Sequence, residues 1–292
     1  MKKRIKTVSF FCLSLLMLTS CSMIDFSEDC TFTGNVHVKF DWANLLEGDK
    51  KPALMETGFF SESAVQNYSL NRDTLLTDMI ATGYKVLAYN HDQSLTYTGL
   101  QNIETTQVEL PVNREDDKLY TVQVPTLYAA KAAIQVSADN LTLCELVPKS
   151  YVRQVFVNFV VSSNGFPEVK SVAGELSGVA TTYSLDLMEA MPSSAILPFD
   201  SNKLSKDRFL STLRVFGVNP AQEGQTEIQK SMNLSLELAD GKTYYENIDL
   251  TRLFSGFTGA SMYLTLEIRL TAMGINIAIT DWHSVDWGEI EL

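Results

Sequence analysis

The chain is short of the residues that active-site chemistry usually draws on. Histidine occurs at positions 37, 91 and 283 only, with no His-x-His or His-x-x-x-His spacing, so local sequence offers no metal triad. There is no Gly-x-Ser-x-Gly elbow, no Ser-x-x-Lys with its usual companions, and no glycine-rich phosphate or dinucleotide loop. These absences point away from catalysis, and neither metal nor cofactor is expected. Basic residues are also few, 23 against 35 acidic, which argues against a nucleic-acid partner that would want a basic stripe. Beyond residue 20 no apolar run approaches the roughly 20 residues that a membrane helix needs, and there is no solenoid-length repeat or low-complexity tract. Cysteine is sparse, at 12, 21, 30 and 144.

What is present begins with an address. Lys2, Lys3, Arg4 and Lys6 precede an apolar stretch from Val8 to Leu18 that ends in small residues, the layout of a secretory signal over residues 1–20. Its removal takes away four bases and no acid, moving the formal charge from −12 to −16. Leu18-Thr19-Ser20-Cys21 resembles the bacterial lipobox, in which the cysteine takes a diacylglycerol and the new amino terminus is acylated. Several acyl chains, each burying methylenes at roughly 0.8 kcal/mol, hold a protein on a bilayer that one chain alone holds only marginally. A plain secretory signal with an incidental Cys21 is the alternative. Residues 21–30, with Asp25, Glu28 and Asp29, form an acidic tether. Acidic residues just after the lipid cysteine resemble the export signal that sends lipoproteins of Bacteroidota to the outer face of the outer membrane.

Loss of the signal leaves Cys30 and Cys144 in a compartment that permits disulfides. A bridge between them would close a long loop worth up to roughly 4 to 5 kcal/mol, and two unpaired buried thiols are the other reading.

The body of the chain is patterned for strands. Val36, Val38, Phe40 and Trp42 alternate with polar neighbours, His37 among them, and Val155, Val157, Phe159 and Val161 do the same. Met232 to Leu238 and Met262 to Leu270 are the sharpest alternations, with Asp240-Gly241 as the tight turn after the first. Further strands are expected at Met55–Phe60, Tyr84–Asn90, Val108–Val112, Tyr120–Val124, Lys131–Val136, Lys242–Ile248 and Ile275–Ile279. Asn113 to Lys118 reads as a charged hairpin tip, and Gly174 and Gly178 inside a strand-like run suggest a bulge or close backbone approach. Ser184 to Met191 reads as a short helix capped by Ser184, and Asn247 to Phe254 as one helical turn or two. The fold class is all-β, two β-sandwich domains with a few short helices, divided near Leu146 to Lys149 into 31–147 and 148–292.

Candidate sites are few. Asn90-His91-Asp92 follows a strand and is expected at a solvated hairpin end. Asp116-Asp117, and Asp281 with Asp286, could be drawn as a carboxylate pair. Trp282 and Trp287 beside those carboxylates could stack on glycan rings or could be rim tryptophans at a sheet edge. Asp73-Thr74-Leu75 resembles the O-glycosylation sequon of Bacteroidota, with Thr74 as acceptor.

The order of short motifs carries a wider resemblance. Gly34-Asn35-Val36-His37-Val38-Lys39-Phe40-Asp41-Trp42 after Cys30, Gly83-Tyr84-Lys85-Val86-Leu87-Ala88-Tyr89-Asn90, Leu176-Ser177-Gly178-Val179-Ala180, Leu238-Ala239-Asp240-Gly241-Lys242 with Ile248-Asp249-Leu250-Thr251, and Ile279-Thr280-Asp281-Trp282 together resemble the fimbrillin-like lipoproteins of Bacteroidales. The resemblance implies two transthyretin-like Greek-key sandwiches and a non-catalytic role in type V pili or related surface structures. It implies lipid attachment to the outer membrane and display at the cell surface, with other fimbrial subunits as partners. In such pili an arginine-specific protease removes the first strand of polymerising subunits and a partner strand fills the groove. Here the next arginine after Arg4 is Arg72, past the first strand, so the usual cleavage position is empty. An anchor or accessory subunit is therefore expected in preference to a stalk subunit. The competing expectation is a surface lipoprotein on the same scaffold that binds glycans or host proteins.

Overall fold

A computed structural model describes residues 32–46, 49–163, 165–218, 229–255, 257, 259–271 and 274–286. The first half supplies β1 (Thr33–Phe40), β2 (Met55–Phe60), β3 (Val65–Leu70), β4 (Thr74–Ile80), β5 (Gly83–Tyr89), β6 (Thr96–Thr98), β7 (Gln107–Glu109), β8 (Val112–Glu115), β9 (Lys118–Thr121), β10 (Tyr128–Gln135), β11 (Leu141–Leu146) and β12 (Lys149–Ser150). The second supplies β13 (Arg153–Ser162), β14 (Val169–Val179), β15 (Thr182–Ser184), β16 (Glu189–Ala190), β17 (Ala195–Asp200), β18 (Asn202–Lys203), β19 (Arg208–Val215), β20 (Ser231–Leu238), β21 (Thr243–Asp249), α1 (Thr251–Phe254), β22 (Ser261–Thr271) and β23 (Gly274–Val285). No helix among the described residues is long and apolar enough to cross a membrane.

Alternation decides what faces inward. In the first half a three-stranded sheet, β11-β1-β4, faces a five-stranded one, β12-β10-β5-β2-β3. Val36, Val38, Leu76 and Cys144 from one meet Phe59, Val86, Ala88 and Ala130 from the other in a shared core. In the second half β18-β19-β13-β22-β23 faces β21-β20-β14-β17-β9-β8. There Val155, Val157 and Phe159 of β13 pack with Leu264 and Leu266 of β22 against Leu176, Leu234 and Leu236. Phe159 is fully buried, a side chain whose removal from water stabilises the fold by roughly 1.5–3 kcal/mol. The result is the all-β, multi-sheet sandwich that the sequence and the resemblance implied.

Chain order and spatial grouping differ at the centre. β6 and β7 join β15 and β16 in a four-stranded sheet, and the β8–β9 hairpin extends the second half's six-stranded sheet through a parallel contact of Tyr120 with Ile196. Leu110 donates its N–H to the Thr181 carbonyl at 2.8 Å, and Leu185 donates to the Thr106 carbonyl at 3.0 Å. Around these contacts Leu87, Tyr89, Val108, Leu127, Ala129, Tyr183, Leu185 and Phe216 form a third core drawn from both halves. Residues 129–130 of β10 are alanines because the strand is buried on both faces, Ala129 toward the third core and Ala130 toward the first. Arg214 of β19 adds hydrogen bonds from Nε to the Val124 carbonyl at 3.0 Å and from an Nη to Thr126 Oγ1 at 3.2 Å.

Two turn predictions hold in detail. Gly241 adopts φ +85° directly after Asp240, whose Oδ1 accepts the Lys242 N–H at 3.1 Å. Gly178 has φ +78° at the register shift between Leu176 and Val179, which makes it the expected bulge. Gly174 permits a close approach, since a Cβ there would lie 2.7 Å from the Asn233 carbonyl oxygen.

The short helix expected at Ser184 to Met191 is not formed. Those residues end β15, turn, and return as β16. Ser184 Oγ does accept the Leu187 N–H at 3.0 Å, as a cap would. Met188 then enters the left-handed region at φ +56°, and Met191 bonds across the hairpin to Thr182 at 2.8 Å, so strand pairing overrides the local helical pattern. The expected turn before Gly256 is α1 alone, because β21 continues through Asp249.

Candidate functional site

Two strands stand out as places where another chain could engage. The first is β1, which lies in the middle of its sheet. It runs antiparallel to β4, with His37 opposite Leu75, and parallel to β11, with His37 opposite Leu143. Val36 and Val38 are fully buried beneath it. Its bonding groups are thus committed on both sides, and removing it would open a groove lined by Leu76, Cys144 and Leu146. The first arginine after β1 is Arg72, in the exposed turn between β3 and β4, so no arginine between β1 and β2 offers a cut that would free β1 alone.

The second is β23, a 12-residue strand at the edge of its sheet that pairs with β22 alone among the described residues. Most of it is exposed. Its register sets His283 against Tyr263, and Tyr263 against Phe156 on β13. The rings stack, with centroids 4.8 Å apart for Tyr263 and His283 and 4.7 Å for Phe156 and Tyr263. Such cross-strand aromatic contacts fix register as well as adding stability. Sequence reasoning missed this row because Phe156 lies on a strand far in sequence from the β22–β23 hairpin that carries Tyr263 and His283. The available signal was Phe156, which with Val160 gives the outer face of β13 apolar character.

Of the sequence-derived site residues, Cys21, Cys30 and Trp287 lie outside the described residues, so neither the lipid site nor the Cys30–Cys144 pair is seen. Cys144 is buried on β11, and burial pushes its thiol up to about 11. Thr74 opens β4 with its hydroxyl donated to the Arg72 carbonyl at 2.9 Å, while Asp73 Oδ1 accepts the Phe40 N–H at 3.1 Å. Trp282 is 51% exposed on β23 opposite Leu264. Asp281 and Asp286 are separated by about 16 Å of extended chain, beyond the roughly 5–9.5 Å of a glycosidase pair. Asp116 and Asp117 form the exposed tip of the β8–β9 hairpin, Asp116 at φ +52°. His91 is exposed and stacks on Tyr97 at 4.9 Å. No group of three or more metal-ligating side chains occurs among the described residues. Besides Cys144, the strongly shifted groups are tyrosines raised by burial, Tyr183 furthest and Tyr89, Tyr97 and Tyr128 to about 12. Tyr128 donates its hydroxyl to Asp49 at 2.9 Å and accepts the Leu46 N–H at 3.0 Å, tying down the loop after β1.

Solved structures share this arrangement of sheets. A candidate adhesin from Bacteroides ovatus superposes with a TM-score of 0.59 at 16% identity, over 94% of this chain and 99% of the other. The fimbrial anchor protein Mfa2 from Porphyromonas gingivalis gives 0.55 at 16% identity, over 86% and 99%. Candidate polysaccharide-binding proteins from Bacteroides thetaiotaomicron give 0.50 at 12% identity, over 87% and 98%. The chain shares its fold with these proteins. No protein-family model matches the sequence, and no curated protein matches it. At such identities the likeness concerns the fold, and that fold is the one implied by the fimbrillin-like motifs.

Proposed function

We propose that this chain is a lipid-anchored subunit of the cell surface, an anchor or accessory component of a fimbria that joins partner subunits by β-strand addition and performs no catalysis. The observation that carries the reading is β1. It occupies its own groove and is bonded on both sides, so the subunit needs no donor strand and would end a series of strand exchanges. The β23 edge is then the surface at which a partner strand adds, its backbone supplying affinity and its alternate side chains specificity. Mfa2, of the same fold, is a fimbrial anchor protein, which supports the reading. Attachment rests on acylated Cys21, since an acidic body does not bind anionic headgroups by charge.

The test is capture of fimbrial subunits from sheared surface filaments by the full-length protein. Successive N–H groups of a strand point to opposite neighbours, so of Ile277→Pro and Ala278→Pro one removes a bond to β22 and the other a bond available to a partner. The variant that keeps its fold should lose capture. Undiminished capture by a folded proline variant, or mature protein from cells beginning after residue 40, would overturn the reading. Cys21→Ser should move the protein from the membrane to the soluble fraction.

A further inference from the structure

We propose that the solvent face of the six-stranded sheet, around Tyr245, is a binding site for a neutral oligosaccharide. The strands β17, β14, β20 and β21 lie side by side there. Their register places Asp200, Ala173, Ser235 and Tyr245 in one row, and Pro198, Glu175, Asn233 and Asn247 in the next. The residues that alternate with these rows along the strands, Val172, Leu176, Leu234 and Leu236, point into the core, so both rows face water.

Ala173 and Ser235 are small and sit between larger neighbours. They leave a depression of about 550 Å³, closed by Tyr245 at one end and by Pro198 and Asp200 at the other. That volume lies within the roughly 300–1,000 Å³ usual for ligand sites. Three strand spacings separate Asp200 from Tyr245, about 14 Å, a length that suits a short sugar chain better than a single ring.

The chemistry of the lining selects the ligand. Tyr245 is 76% exposed, so its ring does no packing for the fold and offers a flat apolar surface. One face of a pyranose is a patch of C–H groups that can lie on such a ring, while its hydroxyls need acceptors and donors at the rim. Glu175 and Asp200 accept, and Asn233 can do both while its Oδ1 takes the Asn247 amide at 2.5 Å. No lysine or arginine among the described residues lines the depression, and two carboxylates would repel phosphate, sulfate or sialic acid. The site is on the sheet opposite to that of β23 and does not depend on strand addition.

The test uses full-length protein in a sugar-free detergent on an array of neutral oligosaccharides (cellohexaose, xylohexaose, mannohexaose and maltohexaose) beside sialylated and sulfated ones. Calorimetry then compares the best ligand across variants. Binding of a neutral oligosaccharide is expected, with Tyr245→Ala weakening it about tenfold or more. Glu175→Gln should weaken it as well, and Tyr245→Phe, which keeps the ring, should restore most of the affinity. Trp282→Ala should leave it unchanged. Binding confined to anionic glycans, no binding at all, or a loss that follows Trp282 instead of Tyr245 would overturn the proposal.

Discussion

In the first half β1 lies between antiparallel β4 and parallel β11; in the second, β13 lies between antiparallel β19 and parallel β22. The same connection is thus used twice, and what differs is its flank. β22 turns back into β23, which pairs along its whole length, whereas β11 ends its sheet among the described residues. The outer faces differ too. The first half exposes Leu75, Leu141 and Leu143 at 55, 64 and 51%, while the second carries the stacked Phe156, Tyr263 and His283. The carboxylates held below their usual range, Glu168, Asp207, Glu237, Asp240 and Asp249, are all in the second half. One topology therefore supports an unadorned lobe and an elaborated one, and the third core joins them.

The comparison breaks if the halves are separable. Expressed alone, residues 31–147 and 148–292 should each lack the cooperative thermal transition of the whole chain, because the cut strips β7 and β9 from their partners and splits the third core. A half that melts cooperatively by itself would show the coupling to be unimportant. Next in size, Phe59→Ala and Phe159→Ala, one in each main core, should each cost about 3–5 kcal/mol and lower the same single transition. Two resolved transitions, each moved by one substitution, would separate the lobes. Arg214→Ala removes hydrogen bonds between them and should cost about 1–3 kcal/mol in denaturant unfolding; a change indistinguishable from zero would remove the residue from the coupling.

The smallest effect is with acid. Glu168 is lowered by its hydrogen bond and charge pairing with Lys203, and Glu237 first by its bond to Lys170; their ordinary value is 4.5. Asp207, Asp240 and Asp249 are lowered by hydrogen bonds at turns, from 3.8. A lowered carboxylate adds stability above its ordinary value and loses it as pH falls through the lowered one. The melting temperature should therefore fall slightly below about pH 4.5, less so in added salt. Glu168→Gln with Glu237→Gln should flatten that fall, and an undiminished slope would place its origin elsewhere.

Legibility followed regularity. At 36–38, 155–161, 232–238 and 262–270 the alternation in sequence matches the alternation in burial. β4 escaped notice because its register against β1 shifts near Gly34, and Asp78 sits at φ +58°. β19 hid behind Ser211, a polar residue at an inward position whose hydroxyl is satisfied by the Asp200 carbonyl at 3.0 Å. β17 contains Pro198, tolerated because β9 meets that strand only at Ile196. The central sheet could not be foreseen, since the pairing that assembles it, β7 with β15, joins residues far apart in the chain. The same reason concealed the aromatic row and the Tyr245 depression: both are properties of neighbouring strands, and no single strand displays them.

The placement of β1 also has a mechanical side. A pull arriving through the amino end of the chain runs along the axis of that strand, loading its ladders to β4 and β11 together. Bonds stretched lengthwise in this way share the tension and must yield at once, whereas a terminal strand peeled from an edge gives way one bond at a time. A protein tugged by flowing liquid while held at its first residues gains most from the former arrangement.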